Sequence, residues 1–546
     1  MNARIDNTSV RPESDSLTYR HTIYVVLALG LALLWILSQR IGNPNLLTAS
    51  LWAEDANVFM QQSSFGLSSL WMPYAGYFHL YPRLAALIAS HAPLLATPLI
   101  FNIAWLCAYL GAVIALFRYT IRHTHSPLLA ALLCLAFGVT PQGGETLFTL
   151  TNAQWYIGVA LLLYMCHDDR EPLGLTGNIL LFIACLTGPF VVLGLPFVLL
   201  REFQTGGTAK SRHSYAIMVA GACIQVTVLL LNGRSNLSTP LDPVWLHWLH
   251  PYWAFLKFGA STTTPKIIAV LFWLGAILTI VKKLLKATTE ERITILSLSA
   301  LAGLCLTAGL SAALGAPQIL SPLGDGVRYF IIPYALSFFV IFISLPRRPY
   351  LAVIILLPLA ATAFLLFSPV DRGEFQWKAF ARFSEKAPDI LIPVAPRVQI
   401  FPGWEGRSGR PVAAATPYEI DINHVRLTGL QRRQEIHELE ATESDNQISF
   451  ELPQCIGSRY VGVVVETTRS QAGEIQVYWG QDFQFTEESS FRRAYPAGPV
   501  KAQLAFRKSR SDNSLRIDLS EAPGSIRLNR IQAYCLDSLS EPQTAH

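Results

Sequence analysis

The sequence predicts a polytopic α-helical membrane domain followed by an all-β sandwich domain, and three observations predict it. Of the 546 residues, 51% are hydrophobic and 14% charged, with a mean hydropathy of +0.36, whereas soluble domains carry about 25% charged residues. Apolar stretches with uncharged interiors crowd residues 21 to 368. Beyond residue 445 apolar and polar residues alternate, the period of half-buried strands.

Residues 1–20 form a polar N-terminal tail. The apolar run that follows reads as a retained anchor, because Leu37-Ser38-Gln39-Arg40 offers no small-residue cleavage pattern. Candidate spans lie near 21–38, 99–117, 127–140, 152–167, 174–187, 188–200, 214–231, 266–281, 293–316, 328–345 and 350–368, about 11 transmembrane helices within a domain of residues 21–368. Several are shorter than the ~20 residues that a straight span needs. With a cytoplasmic N-terminus, fifteen positive residues fall inside: Arg4, Arg11, Arg20, Arg118, Arg122, Arg170, Arg201, Lys210, Arg212, Lys282, Lys283, Lys286, Arg292, Arg347 and Arg348. Six fall outside: Arg40, Arg83, Arg234, Lys257, Lys266 and Arg328. The positive-inside rule therefore selects this orientation. An odd number of crossings puts the C-terminal part outside, in a bacterium the periplasm, with the helices in the inner membrane. The net charge of +5 is explained by the inside loops, and no nucleic-acid partner is implied.

Residues 369–445 read as a periplasmic connector marked by Pro388, Pro393, Pro396, Pro402 and Pro411. Residues 446–546 read as a β-sandwich of jelly-roll type, with strands near 447–453, 458–467, 474–482, 500–506, 513–519 and 525–534. Six cysteines lie in or beside apolar runs and behave as small hydrophobes. Cys455 and Cys535 are the pair in the outer domain, where an oxidising compartment permits a disulfide.

Chemistry is expected on the outer surface. The first outer connection, 39 to about 98, is long and carries Glu54-Asp55, an acid pair in Trp52-Ala53-Glu54-Asp55, and then His79 and Arg83 in Tyr77-Phe78-His79-Leu80-Tyr81-Pro82-Arg83. The second offers Glu145, Asn152 and Trp155; the third offers Lys257, and Arg328 stands at the start of a late span. Each has a structural alternative: Glu145 and Asn152 as helix-start residues, Arg328 as a snorkelling anchor, and His79 as a packed imidazole. His247 and His250 stand at i, i+3, yet among Trp245, Trp248 and Trp253 they read as an interfacial aromatic belt rather than a metal site.

The succession of WAEDANVF, YFHLYPRLAALIA, many spans and GDGVRYFIIP, followed by QWKAFARFSEKAPDILIPVAPRVQIFPGW, resembles bacterial GT-C-type integral membrane glycosyltransferases over roughly residues 20 to 405. The tail resembles the carbohydrate-binding-like sandwiches fused to some of them. The resemblance implies a GT-C-like catalytic domain that moves a sugar from a polyprenyl-phosphate donor to a cell-surface glycan or lipid-linked acceptor on the periplasmic face, with inversion. It implies Asp55 as general base with Glu54 second, and Arg328 on the lipid phosphate with Arg83, His79 and Lys257 as lesser candidates. The Asp-x-Asp form of the family is absent, so no metal ligands are assigned and a requirement for Mg or Mn stays open. Two other classes compete: a transporter or flippase for lipid-linked glycans, and a non-enzymatic assembly factor.

Overall fold

The computed structural model describes residues 14–40, 51–140, 142, 144–169, 171–204, 206, 210–232, 244–310, 315–324, 326–346, 349–366, 377–386, 392–394, 399–401, 418–433, 438–442, 446–458, 460–495, 497–520 and 523–536. Arg4, Arg11, Arg170, Arg234, Arg347 and Arg348 lie outside them, as do Pro388, Pro396, Pro402 and Pro411 of the expected connector. The chain divides into two compact units. The first comprises Met1–Pro44, Leu70–Leu84 and Asn102–Asp371; the second comprises Asn45–Ser69, Ala85–Phe101 and Arg372–His546.

In chain order the helices are α1 (Ser14–Arg40), α2 (Leu80–Ser90), α3 (Thr97–Thr124), α4 (Pro127–Gly138), α5 (Ala153–Cys166), α6 (Leu175–Cys185), α7 (Phe190–Gln204) and α8 (Arg212–Asn232). They continue with α9 (His250–Leu256), α10 (Thr263–Lys286), α11 (Thr289–Leu310), α12 (Ile331–Ser344), α13 (Pro349–Leu365) and α14 (Trp377–Lys386). Every one of the eleven expected stretches contains a helix. Among the described residues, six helical stretches are long and apolar enough to cross a membrane: Thr22–Arg40, Leu94–Thr124, Arg212–Asn232, Thr263–Lys286, Thr289–Leu310 and Val327–Ser344. The expected count of about 11 is not reached, for a reason of length. A helix such as α5, with 14 residues, covers about 21 Å at 1.5 Å per residue, against a hydrocarbon core of about 30 Å.

The first unit is built around α12. Its side chains are buried from Ile331 to Ser344 with the exception of Ser337, and it packs against α4, α5, α10 and α11. By contrast α1 and α10 keep large apolar side chains such as Leu31, Trp35, Leu271 and Leu278 exposed, as helices facing lipid do. Between α6 and α7 the helical ladder breaks at Thr187 and Gly188, and Gly188 adopts a left-handed φ of 80°. An extended segment fills the gap: the Leu80 amide donates to the Leu186 carbonyl at 3.0 Å, and the Gly188 amide donates to the Phe78 carbonyl at 3.0 Å. Gln225, fully buried midway along α8, completes the repair. Its Oε1 accepts from the Phe78 amide at 2.9 Å and its Nε2 donates to the Gly188 carbonyl at 3.1 Å. Backbone without helical bonds survives inside an apolar bundle only when such partners are supplied.

The second unit holds the β structure. Its strands are β1 (Ile392–Val394), β2 (Gln399–Phe401), β3 (Tyr418–Glu419), β4 (Arg426–Thr428), β5 (Leu430–Arg432), β6 (Glu438–Ala441) and β7 (Asn446–Glu451). They continue with β8 (Tyr460–Arg469), β9 (Gly473–Gly480), β10 (Ser490–Tyr495), β11 (Gly498–Arg507), β12 (Ser514–Ser520) and β13 (Gly524–Leu536). One antiparallel sheet has the order β10-β9-β12-β7-β4, the other the order β11-β8-β13-β6-β5 with β3 also on β13. The sheets therefore take in strands β3 to β6 from the stretch read as connector, which also holds the amphipathic α14. These strands are two to four residues long, too short for alternation to register against the surrounding prolines and charges. Ile475, Val477, Trp479, Leu515 and Ile517 of one sheet and Val461, Val463, Leu504 and Phe506 of the other form a common core, where the Trp479 and Phe506 rings stack at 4.4 Å.

Cys455 and Cys535 form a disulfide that spans 80 positions. Closing a loop of that length removes about 4.5 kcal/mol of chain entropy from the unfolded state. Cys455→Ser is therefore expected to lower stability by about 2–5 kcal/mol, read as a drop in the melting temperature of the β domain that reductant reproduces in the wild type. Equal melting of oxidised wild type and variant would contradict it.

Candidate functional site

The first unit gathers four of the expected residues at the N-terminal end of α5. The connection from α4 to α5 has little regular structure, and its polar atoms are held from three sides. Arg40, buried at the end of α1, donates from Nη2 to the Thr140 carbonyl at 3.0 Å and from Nη1 to the Gln142 carbonyl at 3.3 Å. Trp105 of α3 donates from Nε1 to the Thr146 carbonyl at 2.9 Å. The Tyr156 hydroxyl donates to the same carbonyl at 3.3 Å. Glu145 is then gripped by its own carbonyl, which accepts from Thr149 Oγ1 and from Asn152 Nδ2, each at 2.9 Å. A side chain on a backbone so restrained is aimed rather than free.

The aim is towards Arg328. Glu145 Oε1 forms an ion pair with Arg328 Nη1, and the two side chains are 21% and 31% exposed. Gly326 makes the approach feasible: it has a left-handed φ of 69°, and a Cβ there would stand 2.4 Å from Leu320 Cδ2. The Arg328 guanidinium sits 5.3 Å from the Tyr329 ring centre. Tyr329 meets Trp155 edge-on at 5.3 Å, and Trp155 meets Phe190 edge-on at 5.2 Å. Three buried polar atoms on this first turn have no hydrogen-bond partner: Asn152 Oδ1, Gln154 Oε1 and Trp155 Nε1. Leaving a buried polar atom unmatched costs about 1–3 kcal/mol, so three on one turn single it out as a candidate site. Gln154 Oε1 lies 3.0 Å from where a Cβ on Gly188 would stand, which sets the broken helix beside this turn.

The remaining expected residues lie elsewhere. His79 and Arg83, each 1% exposed, sit one turn apart where the extended segment enters α2. His79 Nε2 is 3.2 Å from the Tyr74 carbonyl, and its ring packs at 4.5 Å from Tyr77. Burial, and next the charge of Arg83, pull the His79 imidazole down to about 3; burial also lowers the Arg83 guanidinium to about 10. Lys257 follows α9, where its amide caps onto the Trp253 carbonyl at 3.1 Å; desolvation and then Lys266 lower its ammonium. Nearby Trp245, Leu246, Leu249 and Trp253 are exposed, an apolar surface suited to the bilayer interface.

Glu54 and Asp55 belong to the second unit. Asp55 is buried at 2% exposure and opens a π-helical turn, Asp55–Met60, in which Phe59 and Met60 are fully buried. Single π-turns inside helices occur frequently at functional sites. Among the described residues no group of three His, Cys, Asp or Glu side chains has the arrangement of a metal site.

Gln154, Tyr329 and the support from Arg40 are not among the residues singled out from sequence. Gln154 and Gln225 were accessible as amides inside otherwise apolar runs. A second polar cluster was not singled out either. At the far end of α5, Asp169 accepts from Arg122 Nη1 at 2.6 Å and from the Tyr119 hydroxyl at 2.5 Å. There Lys210 Nζ donates to the Tyr164 carbonyl at 2.5 Å and also to the His167 carbonyl.

The sequence matches no protein-family model and no curated protein. Solved structures similar to part of the chain include "BiXyn10A CBM1 APO", at 10% identity over 21% of this chain and 95% of that one, with a TM-score of 0.17. A carbohydrate-binding module (CBM6cm-2) from Cellvibrio mixtus lichenase 5A, in complex with cellotriose, matches at 14% identity over 21% of this chain and 95% of that one, with a TM-score of 0.17. The cycloalternan-forming enzyme from Listeria monocytogenes, in complex with a pentasaccharide substrate, matches at 12% identity over 22% of this chain and 12% of that one, again with a TM-score of 0.17. At that score none of these likenesses bears on what the β domain binds.

His79 provides a pH test of the buried segment. Its folded value is about 3, against about 6.5 unfolded, so below pH 6.5 the unfolded chain binds a proton that the native protein refuses. The stability from this site is complete above pH 6.5 and is lost as pH falls towards 3, about 2 kcal/mol having gone by pH 5. Melting curves at pH 7.5 and 5 are expected to diverge more for the wild type than for His79→Gln; parallel shifts would contradict the assignment.

Proposed function

We propose that this protein is a membrane glycosyltransferase that moves a sugar from a polyprenyl-phosphate donor to a cell-surface glycan or lipid-linked acceptor on the periplasmic side of a bacterial inner membrane. The observation that carries the reading is the Arg328–Glu145 pair beside the unmatched Asn152, Gln154 and Trp155 atoms. A guanidinium presents charge-assisted donors that suit a phosphate, and the amide and indole groups suit hydroxyls. The pair is partly exposed, so its net contribution is about 1 kcal/mol or less. An incoming phosphate can therefore take the place of the Glu145 carboxylate at little cost. We read Glu145 as holding Arg328 in position until the donor arrives.

The transfer is a single displacement. The acceptor hydroxyl oxygen bonds to the anomeric carbon, its proton passes to the Asp55 carboxylate with Glu54 as the secondary base, and the bond from anomeric carbon to phosphate oxygen breaks with inversion. Polyprenyl phosphate leaves with the electron pair, and Arg328 stabilises the charge that develops on it. Asn152, Gln154 and Trp155 orient the sugar, while His79, Arg83 and Lys257 serve the structure and the surface field. The β domain, in this reading, engages the acceptor glycan. One observation favours a second reading, a flippase for lipid-linked glycans: the break between α6 and α7, repaired by Gln225, is a device that transporters use near their binding sites.

Turnover of a panel of polyprenyl-phosphate hexoses and pentoses, read as polyprenyl phosphate released, distinguishes the two. Asp55→Asn is expected to abolish release with normal insertion and abundance, and Arg328→Gln to lower kcat by about 10²–10³. Full activity of Asp55→Asn would remove the proposed base. Movement of an intact labelled donor across liposomes without release would favour the flippase.

A further inference from the structure

The sandwich interior ends in a layer of unusual composition. Along β8 the inward side chains run Val461, Val463, Val465, Thr467 and then Arg469, which is 3% exposed. The layers before it are filled in the ordinary way, by Val465, Thr467, Ile475 and Val500. In the last layer Ile526 of β13 packs on one side of Arg469, while two other facing positions, one on β11 and one on β9 of the opposite sheet, lack side chains. Gly498 of β11 is the cross-strand partner of Arg469, and no atom stands within 4 Å of where its Cβ would be. Gly473 of β9 lies on the other side, where a Cβ would approach Arg469 Nη2 to 3.2 Å. A guanidinium thus occupies the floor of a slot from which two side chains are missing.

The hydrogen bonding of Arg469 is divided. Nη1 donates to the Gly473 carbonyl at 3.2 Å. Among the described residues Nε and Nη2, the two donors on the side-on edge of the guanidinium plane, have no hydrogen-bond partner and no carboxylate pairs with them. Burial lowers this group, and the Tyr495 hydroxyl pulls in the opposite direction. An isolated buried cation is strongly unfavourable. That penalty is already present before any ligand arrives, so an anion placed on the open edge gains two charge-assisted hydrogen bonds with little further desolvation of the cation.

We infer that the end of the sandwich bounded by Arg469, Gly473, Gly498 and Tyr495 is a binding site for a two-oxygen anion, held side-on by Arg469 Nε and Nη2. The ligand group is a carboxylate, as carried by a hexuronate residue of an acidic glycan, or a phosphate of the same bite. The vacant space at Gly498 is the route of entry. This site is independent of the transferase reading and stands if that reading fails.

The test uses the full-length protein in detergent, with glucuronate, inorganic phosphate and neutral glucose as separate probes. Glucuronate, phosphate or both are expected to raise the melting temperature of the β domain and to bind by calorimetry, with glucose inert. The stronger of the two anions identifies the source. Arg469→Lys keeps the charge but lacks the fork, and should weaken binding at least tenfold. Arg469→Met replaces the cation by an apolar stem, so it should melt at or above the wild-type temperature while losing the anion-induced shift. Anion shifts that survive in Arg469→Met, or an absence of any shift in the wild type, would overturn the proposal.

Discussion

Irregular backbone inside an apolar bundle has to find hydrogen-bond partners, and the first unit is organised by that requirement. The connection entering α5 is met by Arg40, Trp105 and Tyr156, from three different helices. Arg40 serves the Thr140 and Gln142 carbonyls while Trp105 and Tyr156 share the Thr146 carbonyl, in surroundings where an unmatched polar group costs several kcal/mol. What those contacts secure is the position of one carboxylate, Glu145, facing one guanidinium, Arg328. The same requirement explains Gln225, whose amide satisfies both the entering segment and the broken helix.

Polar groups in this unit fall into two kinds. At the far end of α5 they are closed on one another: Asp169 is met by Arg118, Arg122 and Tyr119, and Lys210 is held by backbone carbonyls. Such a network ties loops to helices, although Arg118 and Arg122 stay partly exposed. At the N-terminal end the first turn of α5 keeps Asn152 Oδ1, Gln154 Oε1 and Trp155 Nε1 unmatched next to a partly exposed ion pair. The clustering of three such atoms on one turn beside that pair is what directs the functional reading to Arg328. Arg469 in the β domain presents the same contrast in miniature, with one donor anchored and two open.

Much of the architecture was legible in the residues. Apolar runs without charges located eleven helices between residues 21 and 368, though not α2 or α9, because an interior charge is expensive and its absence is informative. Alternation in Ile475, Val477 and Trp479 or in Leu515, Ile517 and Leu519 located the sandwich, since these residues do share a core. Cys455 and Cys535 stood out as a candidate pair by count, being the two cysteines beyond the apolar runs. Helix lengths were less legible: a run such as 174–187 is uncharged throughout, yet the helix stops at Cys185, where the backbone pairs instead with a segment a hundred residues earlier. The site was legible in part. Glu145, Asn152, Trp155 and Arg328 stood out as polar or aromatic residues near the ends of apolar runs, but that Glu145 meets Arg328 across 183 positions is a property of tertiary packing that spacing does not encode. His79 and Arg83 stood as candidate cations near the membrane surface, with packing the alternative for His79, and both are buried, where the segment carrying them pairs with Gln225 of α8.

The central claim is that Arg328 exchanges the Glu145 carboxylate for the phosphate of a prenyl-linked donor. A cryo-electron microscopy map of the full-length protein in nanodiscs with an excess of polyprenyl phosphate tests it most directly. The account predicts headgroup density on the Arg328 guanidinium at the first turn of α5, with Glu145 displaced from it. An intact Glu145–Arg328 pair with the headgroup bound at another cationic cluster, such as Arg118 and Arg122, would contradict it.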